Sequence, residues 1–372
     1  VIQFVITFLF NTTAMTIQAY ERFVFIRLCL IIACVLQPCI NLLLLYHGGN
    51  VVTISVATLV ISFLTYVVYY CYAKKVLDLK YKFDNFDKNL FKNIFVFSAF
   101  LFLNTITYQL TFSTDNIILG IFSGSIMVAI YSVGSNFKNY FMAFSTSASS
   151  VFAPKINKII AESGSDDETN EIFIRIGRIQ FYIVTLILLG YIFLGRQFVY
   201  LWVGNEYSDA YWIGLLLMIS VYVPCFQNIG LEIQKAKNMH KARSVVYFLI
   251  AIVNIIITIP LSLLYGGIGA SFATCLCMFI GTVIFMNIYN YKKVGIDIPA
   301  FWKSIFRILP GMIIPIVYGV FINCFININS YWNLLFVILG FVLVYFLSCW
   351  FFSMNHYEKD IFSKPLKRFL KK

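Results

Sequence analysis

Apolar runs of about twenty residues, each long enough to cross a hydrocarbon layer about 30 Å thick as one helix, recur from one end of this 372-residue chain to the other. Within lipid a backbone must satisfy its own hydrogen bonds, so repeated runs of this length fold as transmembrane helices and not as isolated strands or loops. The composition agrees: 60% of the residues are apolar and only 12% are charged, against about 25% in soluble domains. The fold class that follows is an all-α polytopic membrane protein.

Turn residues and charges punctuate the runs. The spans read as a partial one ending near Ala14, then Phe23 to Tyr46, Val51 to Tyr72, Phe91 to Ile121 and Met127 to Phe152. Six more follow, at Phe173 to Leu194, Tyr211 to Ile229, Val245 to Leu264, Ile268 to Tyr289, Ile305 to Phe325 and Trp332 to Phe352. The count is ten whole crossings and one partial one. Val1 already lies inside an apolar run, without an initiator Met or the regions of a signal peptide, so the chain reads as a fragment.

A net charge of +12 raises the question of a nucleic-acid partner, and the placement of the charge answers it. All of the 28 Lys and Arg residues except Arg196 and Lys138 fall on alternate connections or in the tail, and so on one face. The positive-inside rule makes that face cytoplasmic, with the lipid bilayer as the partner and no nucleic acid. Trp202, Tyr207, Tyr211 and Trp212 gather on the longest connection of the opposite face. They read as an interfacial aromatic belt, with sugar stacking as the alternative. On the basic face, Ala73 to Leu90 reads as an amphipathic linker, and the acidic run around Asp166-Asp167-Glu168 as a solvated turn without a chemical role.

Two ionisable side chains fall well inside spans away from the basic face, Asp115 and Lys138. An ionisable group in the membrane marks a functional site by default, because burying it costs on the order of 3 kcal/mol even on lenient scales. Helical spacing gives each a set of polar neighbours: Asn104, Tyr108 and Thr111 with Asp115, and Tyr131, Ser135, Ser145 and Ser149 with Lys138. Counting from span ends places Asp115 roughly 9 Å and Lys138 roughly 16 Å from the outer boundary, the second near the midplane. Uncharged members of these stripes also serve as hydrogen-bonding glue between packed helices. Pro38, Pro224, Pro260, Pro310 and Pro315 are candidate kinks. No nucleotide loop, catalytic triad, paired-carboxylate site or metal motif is present in the sequence, and no cofactor is implied.

Several stretches carry a family resemblance. They include Gln18-Ala19-Tyr20-Glu21-Arg22-Phe23, Ser113-Thr114-Asp115-Asn116-Ile117-Ile118-Leu119-Gly120, Phe173-Ile174-Arg175-Ile176-Gly177-Arg178, Leu201-Trp202-Val203-Gly204 and Tyr265-Gly266-Gly267-Ile268-Gly269-Ala270. In these the chain resembles the polysaccharide and O-antigen flippases, of the superfamily that also contains multidrug exporters and the lipid II flippase. The resemblance implies a two-lobe helical bundle of the multidrug exporter type that lacks about its first three spans. Residues 1–72 would be the rest of the first lobe, 73–90 a cytoplasmic linker, 91–290 the second lobe, and 291–372 two extra helices with a basic tail. It further implies a bacterial inner-membrane flippase for an undecaprenyl-pyrophosphate-linked oligosaccharide, working by alternating access in O-antigen, capsule or other surface polysaccharide synthesis. Polysaccharide polymerase and glycosyltransferases are its expected partners. Under this reading the substrate-binding candidates are Lys138, Asp115, Asn116, Tyr131, Ser135, Asn104 and Tyr108. The alternatives are a drug or metabolite exporter of the same superfamily and a membrane-bound polymerase or glycosyltransferase. The last of these normally places catalytic acids or bases on a large loop, and no connection here exceeds about twenty residues.

Overall fold

A computed structural model describes residues 2–20, 22–77, 88–150, 166–237, 239, 241–326 and 328–360. Two compact units divide the chain, Val1–Asn93 and Ile94–Lys372. Helices make up nearly all of it, and no strand occurs among the described residues.

The first unit contains α1 (Ile2–Ala19), α2 (Phe23–Tyr46) and α3 (Val51–Lys75). The α2–α3 turn uses Gly48, whose φ of 79° suits a residue without a Cβ. Asn50 then caps α3 by accepting from the Thr53 backbone N–H at 3.3 Å. Ile17, Tyr69 and Ala73 are buried together, and Phe25 stacks on Tyr72 with ring centroids 3.8 Å apart. No residue of α2 is buried, although nearly all are apolar, which is the pattern of a helix whose solvent is lipid.

The second unit opens within α4 (Lys88–Phe112), whose first six residues belong to the first unit, and continues with α5 (Thr114–Phe122) and α6 (Gly124–Ser150). The span read as Phe91 to Ile121 is therefore two helices, broken at Ser113. Beyond it lie α7 (Asp166–Val203), α8 (Asp209–Phe226), α9 (Ile229–Ala236) and α10 (Lys241–Met278). Asp166, Asp167 and Glu168 form the first turn of α7, so the acidic run is not a solvated turn. Carboxylates there favour the positive end of the helix dipole, and Asp166 also pairs with Lys237 at 2.6 Å. The helix is 38 residues long, about 57 Å, and so overshoots the hydrocarbon layer and the span read at Phe173 to Leu194.

Within α10 the backbone leaves helical geometry at Gly266, with φ 56° and ψ −136°. The bend lies at this glycine and not at Pro260, which sits inside the first arm. The second arm continues through π-helical turns to Val294. Gly281 faces Ile250 of the first arm, and a Cβ on it would overlap that side chain, so the glycine lets the arms meet. Gly134 of α6 and Gly214 of α8 do the same for their pair: a Cβ on Gly134 would lie 2.8 Å from Ile213 and 3.0 Å from the Gly214 nitrogen.

Next come α11 (Ile298–Phe306), α12 (Ile313–Phe325) and α13 (Tyr331–Phe352). Asp297 caps α11 by accepting from the Ala300 N–H at 3.0 Å. A 41° bend near Pro310 separates α11 from the segment Leu309–Phe325. Among the described residues six helices are long and apolar enough to cross a membrane, or seven with this bent pair counted as one span. The stretch Arg243–Val294 holds two of the crossings read from the sequence, and α4 to α6 hold two more, so the overall count is consistent with that reading.

A buried ion pair ties α7 to the end of the described chain. Arg178 donates to Glu358 from Nε at 2.5 Å and from Nη2 at 3.1 Å, with both side chains under one-tenth exposed. The same guanidinium donates to the Ser304 carbonyl at 2.8 Å, the Ser353 carbonyl at 3.3 Å and Asn355 Oδ1 at 3.2 Å. Asn355 closes the ring by donating its N–H to Glu358 at 2.8 Å.

Candidate functional site

A helical hairpin builds the centre of the site. The turn at Ser123 and Gly124, where φ is 83°, joins α5 to α6. Asp115 and Tyr131 are each eight residues from Ser123, about 12 Å of helix, so the two antiparallel helices bring them level. The Tyr131 hydroxyl donates to the Asp115 carboxyl, and both side chains are buried, at 0% and 1% exposure. Asp115 also lies in the first turn of α5, where the positive end of the helix dipole favours an acid.

The bend of α10 supplies the other half. Thr274 on the second arm donates to Asp115 at 2.9 Å. Asn254 on the first arm donates to Thr274 Oγ1 at 3.1 Å and to the Thr111 carbonyl at 3.2 Å, and Thr258 donates to Asn254 at 3.3 Å. All three side chains are fully buried. The Thr111 carbonyl lies in the last turn of α4, where the break at Ser113 interrupts the helix and leaves carbonyls in need of partners. Asn254, Thr258 and Thr274 are site residues that the sequence reading missed. Their signal was present, since Asn254 and Thr258 are one helical turn apart in an otherwise apolar run.

Lys138 lies deeper, about 22 Å of helix from Ser123. It is buried at 3% exposure with its ammonium 3.8 Å from the centre of the Phe112 ring, a cation–π contact. Asp115 lies nearer the turn. The offset between them is about 10 Å along the helices, more than span-end counting gave, because the helices meet at a tight turn. A buried acid inside a hydrogen-bonded layer of α4, α5, α6 and α10 thus lies about 10 Å in depth from a buried cation on α6.

The other sequence candidates divide. Asn116 follows Asp115 and is partly buried, and among the described residues its Oδ1 has no hydrogen-bond partner. Ser135 donates to the Ser132 carbonyl of its own helix at 3.0 Å and does not join the layer. Ser145 instead meets α8, donating to the Cys225 carbonyl at 2.6 Å. The α6 stripe is thereby shared between neighbours. Asn104 and Tyr108 lie on α4, but their side chains, like that of Ser149, are outside the described residues. Among the described residues no three His, Cys, Asp or Glu side chains gather as a metal site.

A family model described as polysaccharide biosynthesis protein matches residues 1–211, more than half of the chain. The chain belongs to the polysaccharide biosynthesis protein family. No curated protein matches it. Among solved structures, this family member is similar to the lipid II flippase MurJ in an inward closed conformation, with a TM-score of 0.69 and 18% sequence identity. The match covers 97% of this chain and 72% of that one. At that identity the likeness concerns the fold, which is thus the all-helical fold of a lipid flippase. With several helices long and apolar enough to cross a membrane, this member of the family is a multi-pass membrane protein.

Proposed function

We propose that the protein is a transporter, not an enzyme, which moves an undecaprenyl-pyrophosphate-linked oligosaccharide across the inner membrane by alternating access. The product feeds O-antigen, capsule or another surface polysaccharide, alongside a polymerase and glycosyltransferases. The division into 1–72, 73–90, 91–290 and 291–372 belongs to this proposal.

One observation carries the reading: a lysine and a hydrogen-bonded carboxyl are buried together within membrane helices. Packing alone does not call for an intramembrane ammonium, whereas a carrier for a pyrophosphate does. Lysine supplies a compact charge with three donors, able to hold a phosphate without the two-pronged grip of arginine. Family membership and the flippase fold support the substrate class. Because Lys138 and Asp115 are closed off in this conformation, substrate reaches them only in a second one. Tyr131, Asn116, Asn104 and Tyr108 complete the proposed polar lining, and Ser135, bonded to its own helix here, joins it only in the second conformation.

The test uses a strain deleted for its polysaccharide flippase. The complete gene restores surface polysaccharide, Lys138→Ala abolishes or severely reduces it at an unchanged level of membrane protein, and Lys138→Arg keeps part of it. Wild-type polysaccharide from normally inserted Lys138→Ala refutes the phosphate site, and failure of the complete gene refutes the flippase reading.

A further inference from the structure

A cavity of about 380 Å³ opens in residues 94–372 at the end opposite the basic connections. That volume falls among ligand pockets, which run from about 300 to 1,000 Å³. Arg196, Gln197 and Tyr200 line it from the last turns of α7, Asn205 and Ser208 from the connection to α8, and Asn329 from the connection between α12 and α13. Its walls are built. Gly204, with φ 92°, ends α7 and lets the chain turn back as the short helix Asn205–Tyr207. Gln197 donates to Asn323 at 3.0 Å, and the Tyr331 hydroxyl donates to the Leu201 carbonyl at 2.5 Å, holding α12 and α13 to the end of α7.

Arg196 defies the charge pattern of the rest of the chain, since it is a basic residue at an outer span end. It is exposed, and among the described residues its guanidinium makes no ion pair, although Glu206 lies on the next connection and Asp209 at the start of α8. A guanidinium suits phosphate or carboxylate. The amides of Gln197, Asn205 and Asn329 and the hydroxyl of Ser208 are side chains that both donate and accept, as sugar hydroxyls require. The half-exposed Tyr200 ring offers an apolar face of the kind a sugar ring stacks on. Bare phosphate engages the guanidinium and the amide and hydroxyl donors but leaves the amide carbonyls and the ring face unused, and Ile328 adds an apolar wall against which a sugar ring can also rest.

We propose that this cavity binds an anionic saccharide head, a sugar bearing phosphate or carboxylate, on the outer side of the membrane. The inference rests on the flippase reading, under which such a head arrives at that side after crossing.

The full chain in phosphatidylcholine nanodiscs is dialysed against labelled glucose 1-phosphate, glucose and inorganic phosphate. Glucose 1-phosphate binds, and glucose and inorganic phosphate each bind at least tenfold more weakly. Arg196→Gln weakens glucose 1-phosphate at least tenfold, Asn329→Ala weakens it several-fold, and Arg196→Lys recovers part of the loss, all at an unchanged thermal unfolding midpoint. Absence of glucose 1-phosphate binding, or binding indifferent to Arg196→Gln, overturns the proposal. Equal binding of inorganic phosphate overturns it in favour of a bare anion site, and abolition of binding by added phosphatidylglycerol overturns it in favour of bilayer headgroups. The two readings separate cleanly. A gene that fails to restore polysaccharide while its product binds glucose 1-phosphate through Arg196 sinks the flippase and leaves the site; restoration with no such binding sinks the site alone.

Discussion

Replacing Glu358 with glutamine keeps its shape and removes its charge, which leaves Arg178 as a buried guanidinium without a counterion. The two charge centres are about 4 Å apart, worth about 4 kcal/mol at an effective dielectric constant near 20. Removing one partner of a buried pair costs about 3–5 kcal/mol, because the remaining ion keeps its desolvation penalty. The guanidinium's bonds to Ser304, Ser353 and Asn355 soften the loss by satisfying several of its five N–H groups, so Glu358→Gln falls at the lower end, about 3 kcal/mol. Arg178→Met strands a carboxylate that retains the Tyr182 hydroxyl at 3.3 Å and the Asn355 N–H, and costs a similar amount. The double variant Arg178→Met with Glu358→Leu leaves no charge behind and costs less than the sum of the single changes, by about 2 kcal/mol or more. Unfolding by a denaturing detergent from mild micelles, followed by the loss of helical circular dichroism, measures all three. A coupling below about 0.5 kcal/mol refutes the argument, for it means the two charges are stable apart.

Three other outcomes follow from the geometry. Tyr131→Phe removes one hydroxyl from Asp115 and costs about 1.5–3 kcal/mol if the carboxyl is charged, read as a lower unfolding midpoint; an unchanged midpoint removes the bond from the account. Gly134→Val forces α6 away from α8 and costs at least about 2 kcal/mol, with Gly134→Ala intermediate, and equal stability of all three forms contradicts the close approach. A single cysteine at Lys235, in a chain cleared of native cysteines, resists an impermeant thiol reagent added outside cells, while one at Asn205 reacts; the reverse pattern inverts the topology.

The spans were legible because hydropathy is a local property: α2, α3 and α13 start and stop within a few residues of the sequence reading. Asp115, Lys138 and Tyr131 were legible for the related reason that a polar group in an apolar run is conspicuous. What brings them together was not. The break at Ser113 has no proline or glycine to announce it. Asn254 and Thr274 are twenty positions apart and meet only because α10 bends at Gly266, where the sequence offered Pro260 as the expected kink. Arg178 and Glu358 are separated by 180 positions, and each alone looks like an ordinary charge near the cytoplasmic surface.

The equal distances of Asp115 and Tyr131 from Ser123 bear on how this stretch of chain can change in length. A helix advances about 1.5 Å and turns about 100° with each residue. One residue added or lost between positions 116 and 130 would swing the tyrosine hydroxyl or the carboxyl out of the interface between α5 and α6. Two would leave it more than half a turn away, and three or four would restore its direction but shift it about 5 Å along the axis. The hairpin therefore behaves as a ruler of fixed length, on which side chains can be exchanged singly but whose turn cannot grow or shrink without breaking the contact it sets.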